Sequence, residues 1–266
     1  MRINDLTATE WIKHSISYFK LPMHKKGVKE TLHPAAFPVD LAVRFIEMLT
    51  HVGDTVLDPF VGSGSTPVAC QNLMRNSVCL DLQQKYVDMT RKRISFGLSD
   101  NKQYIYQFDS MNIIKCPYIK RDSISLMITS PPYWDMLNRS RGGSYSQHKK
   151  RKEKNLPLNY SEDVNDLGNI KDYHDYILKL FEVFNNCKPF LKRDAFLVIV
   201  IQNIFGHDKE FYTPAFDLVK LLGNVYRVRS EQIWIQPEKM AGIWGYPSTY
   251  LTNTHHHYCL VFQNNK

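Results

Sequence analysis

The sequence predicts an α/β fold, with a mostly parallel β-sheet covered by helices on both faces. Three observations predict it. Short apolar runs of β type alternate with helical stretches along most of the chain. Four of those runs end in a polar residue, at Asp58, Asp81, Asp109 and Ser130. A glycine-rich turn joins the first run to a helix. Strand–helix alternation needs crossover connections, and crossovers make parallel strands with both faces covered. Ligands of such sheets bind beyond the carboxyl ends of the strands, where the four polar residues would gather.

Each element has its own signal. Trp11 to Leu21 reads as a short amphipathic helix, broken by Lys25-Lys26-Gly27. Asp40 to Leu49 carries apolar residues at Leu41, Phe45, Ile46, Met48 and Leu49, the spacing of a core-facing helix, with Pro38 just ahead of it. Strands are expected at Thr55–Leu57, Ser77–Leu80, Tyr104–Phe108, Ile124–Thr129, Phe196–Ile201, Arg227–Ile235 and His257–Phe262. Helices are expected at Thr66–Leu73, Tyr86–Phe96, Asp172–Leu191 and Pro214–Leu222. The last two strands are joined by a Pro- and Gly-containing loop.

Composition sets the limits. A chain of 266 residues, 43% hydrophobic and 23% charged, suits one domain with a packed core rather than wholesale disorder. The formal net charge of +8 suits a polyanionic partner. The five cysteines, at 70, 79, 116, 187 and 259, form no CxxC pair, which argues against a disulfide framework or a zinc ribbon. No signal peptide opens the chain, and the longest apolar run, Ala195–Ile201, has the length of a strand rather than a bilayer span. A cytoplasmic protein with no membrane partner is expected.

The strongest motif is Asp58-Pro59-Phe60-Val61-Gly62-Ser63-Gly64-Ser65-Thr66, between a strand and a helix. Gly62 and Gly64 permit positive φ and close approach of the backbone to a ligand. The helix start that follows offers unpaired N–H groups. No Gly-Lys-Ser/Thr follows, and the spacing is not GxGxxG, so phosphate is not the expected ligand.

This motif resembles the cofactor loop of the amino-group DNA methyltransferases, the adenine-N6 and cytosine-N4 group. The resemblance runs from about Leu32 to Phe262. It implies a Rossmann-like methyltransferase fold with a mostly parallel seven-stranded sheet ending in an antiparallel hairpin. It also implies S-adenosyl-L-methionine as cofactor. Asp58, Pro59 and the Phe60–Gly64 backbone, with Ser63, Ser65 and Thr66, would hold the methionine part. Asp81 would take the ribose hydroxyls, Asp109 and Ser110 the adenine, and Phe37-Pro38 would close over the methionine end.

The second motif is Ser130-Pro131-Pro132-Tyr133, followed by Trp134. Two prolines cannot continue a sheet, so they make a stiff, extended exit from the fourth strand. Such stiffness holds carbonyls at fixed positions. A hydroxyl at Ser130 and the Pro131 carbonyl could accept the two hydrogens of an exocyclic amine and turn its lone pair toward a methyl donor. Tyr133 would stack on the extruded base, helped by Trp134, because chemistry on a base requires flipping it out. Serine in the first position is more similar to the cytosine-N4 than to the adenine-N6 enzymes, which favours cytosine N4 and leaves adenine N6 as the alternative. An RNA amino-methyltransferase is disfavoured by the lack of an obvious RNA-binding domain, and a non-catalytic partner by two intact motifs.

The cofactor loop precedes the tetrapeptide, whereas many relatives have the reverse order. Residues 138–170 lack apolar periodicity and hold Arg139, Arg141, Lys149, Lys150, Arg151 and Lys152. They read as a mobile basic insertion at the rim of the site, contacting the phosphates of double-stranded DNA. A restriction–modification role would add a cognate restriction endonuclease as partner. His255-His256-His257 opens a strand, where successive side chains face opposite ways, so no metal site is expected.

Overall fold

The seven runs read as strands pair, together with Tyr18–Lys20, into one eight-stranded sheet in the computed structural model, which describes residues 2–23, 37–94, 100–134, 166–243 and 245–266. The strands are β1 (Tyr18–Lys20), β2 (Thr55–Asp58), β3 (Asn76–Asp81), β4 (Gln103–Gln107), β5 (Ile124–Thr129), β6 (Leu191–Ile201), β9 (Arg227–Ile235) and β10 (His256–Gln263). A small separate hairpin joins β7 (Ile204–Phe205) to β8 (Phe211–Tyr212). The order across the sheet is β1-β9-β10-β6-β5-β2-β3-β4. Strands β4, β3, β2, β5 and β6 are parallel, and β10 runs antiparallel to both β6 and β9.

The chain leaves β2 toward β3 and β4, then returns to β2's other side for β5 and β6. The carboxyl ends of β2 and β5 therefore flank the topological switch point, where a crevice opens. Because β10 is antiparallel to β6, with Tyr258 opposite Ile201, its first residues lie at this same edge. Ile235, at the end of β9, sits opposite His256 there.

Six helices are described: α1 (Ala8–His14), α2 (Val39–Leu49), α3 (Ser65–Asn72), α4 (Gln84–Ile94), α5 (Tyr173–Cys187) and α6 (Pro214–Leu222). The central strands are buried on both faces, and successive residues feed two cores. Leu57, Met127 and Leu197 pack with Tyr176 and Phe184 of α5 and Leu218 of α6. Val56, Leu126 and Val198 pack with Leu41, Phe45 and Ile46 of α2.

Three expectations change. The sheet has eight strands, not seven, because Trp11–Leu21 is not one helix. Thr7 and Glu10 form a capping box that starts α1 at Ala8, and α1 ends at His14 without burying any residue. The β-prone Tyr18-Phe19-Lys20 then pairs in parallel with Ile233–Ile235. The long helix expected to Leu191 stops at Cys187, because Pro189 cannot continue it, and Leu191 already begins β6. Of the basic segment, Arg139, Arg141, Lys149, Lys150, Arg151 and Lys152 lie outside the described residues. Its last part is a 3₁₀ turn, Leu167–Asn169, capped by Asp166.

The difference between α1 and α2 is measurable. Phe45→Ala should lower the unfolding free energy by about 3–5 kcal/mol, the cost of an unfilled core site. Ile12→Ala, on a residue 66% exposed, should change it by no more than about 0.5 kcal/mol. Urea titration of both variants checks this.

Candidate active site

The loop after β2 is built around one buried carboxylate. Asp58 Oδ1 accepts from the Phe60 N–H (3.0 Å) and from Thr129 Oγ1 (2.6 Å), and Oδ2 accepts from Thr66 Oγ1 (2.5 Å). These donors come from the loop, from the start of α3 and from the end of β5. Burial nevertheless dominates, pushing the carboxyl up to about 6 against the pull of the three hydrogen bonds. Asp58 therefore faces inward and fixes the loop.

The turn itself depends on glycine. Gly62 and Gly64 have φ of 51° and 85°. A Cβ on Gly64 would also come within 2.7 Å of the Thr90 side chain in α4. Thr90 Oγ1 in turn donates to the Gly62 carbonyl at 3.0 Å. Arg93, also from α4, donates to the Ser63 carbonyl. The Ser65 hydroxyl donates to the Phe37 carbonyl at 2.6 Å, tying Phe37-Pro38 and the α2 start to the loop.

Asp81 closes β3 beside this turn. Its carboxylate accepts from the Gly62 N–H and the Gln83 N–H, both at 2.9 Å. Burial raises it as well, to about 6, with the Asp58 charge as a smaller contributor. Asp109 accepts from the Met111 N–H (2.9 Å) and Asn112 Nδ2 (2.8 Å), capping a 3₁₀ turn. Ser110 Oγ donates to the Pro59 carbonyl at 2.5 Å, so the ends of β2 and β4 are bonded together.

The tetrapeptide follows β5 directly. Ser130 Oγ donates to the Tyr133 hydroxyl at 3.3 Å, which leaves the serine lone pairs as acceptors. The buried Tyr176 of α5 donates to the Pro132 carbonyl at 2.8 Å. Tyr133 is buried too, with its ring 6.0 Å from that of His257, and desolvation raises its hydroxyl, so it stays protonated. Trp134 turns inward against Tyr173 and Tyr212, at 5.1 and 4.7 Å, and its indole donates to the Lys171 carbonyl. Its ring is packed rather than displayed.

Several of these parts line one open cleft. Its wall includes Phe60, Asp81, Asp109, Ser110, Ser130, Pro131 and Pro132 from the expected set. Asp58, Ser63, Thr66, Tyr133 and Trp134 are buried and are not part of that wall. Gln83, Tyr86 and Asp166 also line the cleft and were not singled out from the sequence. Gln83 follows the Asp81 strand end and was findable by position. Asp166 lies at the end of the aperiodic segment 138–170, where no apolar pattern marks its capping role for Leu167–Asn169. Nor does helical spacing distinguish Tyr176 from an ordinary core tyrosine.

His257 is buried and stacks on Trp234 at 4.7 Å. Its Nδ1 has no hydrogen-bond partner among the described residues. Burial first, then Lys239 and His256, pushes its pKa down to about 3, so the ring is neutral at physiological pH. Among the described residues no group of histidine, cysteine, aspartate or glutamate is arranged to hold a metal ion.

The Asp58 arrangement gives a direct test. Thr129→Val keeps the side-chain shape but removes a buried donor to a carboxylate. It should cost about 2 kcal/mol of unfolding free energy, measured by urea titration at pH 7.5.

With this geometry in place, comparison with known proteins is informative. Residues 7–92 match the N6/N4 methyltransferase family model, described as DNA methylase. The type II methyltransferase M.BglI of Bacillus subtilis is 37% identical over 102 residues, 38% of this chain and 28% of that protein. The type II methyltransferase M.MthZI of Methanothermobacter thermautotrophicus is 43% identical over 71 residues, 27% of this chain and 20% of that protein. Each match thus spans less than a third of the relative's length. A crystal structure of an rRNA methylase from Streptococcus thermophilus superposes with a TM-score of 0.51, covering 87% of this chain and 99% of that one. At 15% identity it speaks for the fold alone: an α/β methyltransferase-like sheet with antiparallel C-terminal strands. Over residues 7–92, then, the chain is similar to the N6/N4 amino-group DNA methylases, and its fold is that of an α/β methyltransferase-like protein.

Proposed function

We propose that this protein methylates the exocyclic amino group of a DNA base, cytosine N4 before adenine N6, with S-adenosyl-L-methionine as donor. The observation that carries the reading is a shared cleft. The acids at the ends of β3 and β4 and the Ser130-Pro131-Pro132 segment line the same space. A donor held by the acids would then lie beside the residues that present the acceptor.

The residues fit that donor. Ser63 Oγ is buried in the turn and has no hydrogen-bond partner among the described residues, a polar atom that the fold itself leaves unspent next to the glycine turn. Asp81 spends two acceptor positions on backbone N–H groups and retains others for ribose hydroxyls. Asp109 and Ser110 flank the place an adenine would take, and Phe60 gives the cleft an apolar wall. S-adenosylmethionine, when bound, supplies the electrophilic methyl group.

The chain's own residues handle the amine. Ser130 Oγ accepts one amine hydrogen while its own hydrogen goes to Tyr133. The Pro131 carbonyl accepts the other hydrogen, held in place by the two proline rings. Tyr176 occupies the Pro132 carbonyl, so that carbonyl does not compete. The amine lone pair is thereby turned out of conjugation with the ring. Stacking of Tyr133 on the base, expected from the sequence, would require the ring to be uncovered. Its contacts favour a role as the partner of Ser130. The type II designation of the relatives supports a cognate restriction endonuclease as functional partner.

Incubation of mixed-sequence DNA with labelled donor, followed by nucleoside mass spectrometry, tests the reading. N4-methylcytosine is expected. N6-methyladenine alone would overturn the base assignment, and label in RNA but not DNA would overturn the substrate class. Ser130→Ala should abolish transfer with donor affinity kept.

The raised Asp81 gives a pH signature. Ribose hydroxyls donate best to the ionised carboxylate. Donor affinity should therefore hold above pH about 6 and weaken by up to roughly tenfold per pH unit below it. Asp81→Asn should bind weakly and without that dependence. Calorimetric titration between pH 5 and 8 distinguishes the two curves.

A further inference from the structure

The loop from Gln236 to His255 emerges between β9 and β10 at the carboxyl edge of the sheet, the edge that carries Ser130. It stands close to the tetrapeptide. His257 at its root lies 6.0 Å from Tyr133, ring to ring, and Lys239 within it acts on the charge of His257. The loop is built rather than loose. Asn253 closes it on itself: the Gly242 N–H donates to Asn253 Oδ1 (2.7 Å), and Asn253 Nδ2 donates to the Gly242 carbonyl (2.9 Å). The N–H groups of Ser248 and Thr249 both donate to the Gly245 carbonyl, at 2.8 and 2.7 Å. Gly245 has φ of 74°, and a Cβ there would come within 2.5 Å of the Thr249 carbonyl oxygen.

This frame displays apolar side chains. Met240, Ile243, Tyr246 and Tyr250 are 86, 85, 81 and 85% exposed. Thr252 Oγ1 donates to the Tyr250 hydroxyl at 2.9 Å, which steadies that ring in the open. A turn held by five hydrogen bonds, yet presenting four large apolar side chains to water, is arranged for a partner.

We propose that this loop is a duplex-DNA contact, in which Tyr246 and Tyr250 engage the bases or sugars next to the nucleotide drawn toward Ser130. The inference rests on the base methylation proposed above. Continuity with the site argues for that partner: the loop springs from the sheet edge that carries Ser130, and His257 at its root lies 6.0 Å, ring to ring, from Tyr133. The chemistry agrees. Tyrosine offers a flat face for unstacked bases and a hydroxyl for phosphate or base edges. The formal net charge of +8 suits the same polyanion. Within the loop Glu238 and Lys239 offset each other, so its contribution is stacking rather than charge neutralisation.

The test compares wild type with Tyr246→Ala/Tyr250→Ala and with Tyr246→Phe/Tyr250→Phe. Duplex binding is followed by fluorescence anisotropy from 50 to 300 mM salt, with methyl transfer, donor affinity and thermal unfolding measured alongside. The alanine pair should weaken duplex binding at least tenfold and raise the KM for DNA. Its salt slope, donor affinity and melting temperature should match wild type, because no cation that neutralises a phosphate is lost. The phenylalanine pair should recover most of the affinity. Duplex affinity within twofold of wild type in the alanine pair would overturn this inference and leave the methylation reading intact. A wild-type protein that binds no duplex overturns both. A wild-type dimer that the alanine pair dissociates, with duplex affinity per protomer unchanged, would assign the loop to a second copy of the chain.

Discussion

One buried carboxylate organises the site. Asp58 ends the central strand β2 with almost no solvent contact and gathers donors from three elements. Such a group is expensive to bury, and its upward shift to about 6 shows that desolvation outweighs its hydrogen bonds. Removing any donor would leave the cost and lose the compensation, so the three elements are locked relative to one another. The lock spans the switch point. It fixes the loop that leads into α3, and through Thr129 it fixes the end of β5, one residue before Ser130. The donor side and the acceptor side of the proposed reaction thus share a single support.

A second layer stiffens the tetrapeptide from the opposite direction. The Pro131-Pro132 pair limits the backbone, and Tyr176 on α5 anchors the Pro132 carbonyl from within the core. Trp134, packed against Tyr173 and Tyr212, ends the exit with an aromatic cluster. Tyr173 is itself held by Asp217 of α6. Positional precision at Ser130 is therefore inherited from two helices as well as from β5, which suits a reaction that works by presenting lone pairs.

Most of the architecture was legible because the local signals agreed with the tertiary ones. Alternate burial in Val56-Leu57 and Leu126-Met127 matches strands covered on both faces, and the helices between them carry clear apolar spacing. The failures have physical causes. Tyr18–Lys20 becomes a strand only because β9 offers a free edge, which no local pattern announces. Cys187 ends a helix whose apolar periodicity runs on, because backbone chemistry at Pro189 overrides side-chain pattern. At the candidate site both motifs stood out in the sequence, but not the direction their side chains face. Trp134 and Tyr133 have the composition of base-stacking residues, and the fold buries both.

The strand-end acids show why direction stays hidden. In sequence, Asp58, Asp81 and Asp109 are equivalent: each closes a strand before a turn. A carboxylate has about four lone-pair sites, and what matters is how many the protein itself fills. Asp58 receives three donors, two of them hydroxyls that reach it from α3 and β5, and is not part of the cleft wall. Asp81 receives two backbone N–H groups, from Gln83 two residues on and from Gly62 in the loop after β2, and lines the cleft with capacity to spare. Asp109 is filled only by its own capped turn and also reaches the cleft. Two backbone N–H donors leave Asp81 with lone pairs for a ligand, whereas hydroxyls reaching Asp58 from two other elements fill it and turn it in. The difference between anchor and ligand thus lies in long-range partners such as Thr129, 71 residues from Asp58 in the chain, and it becomes visible only when the strands are side by side.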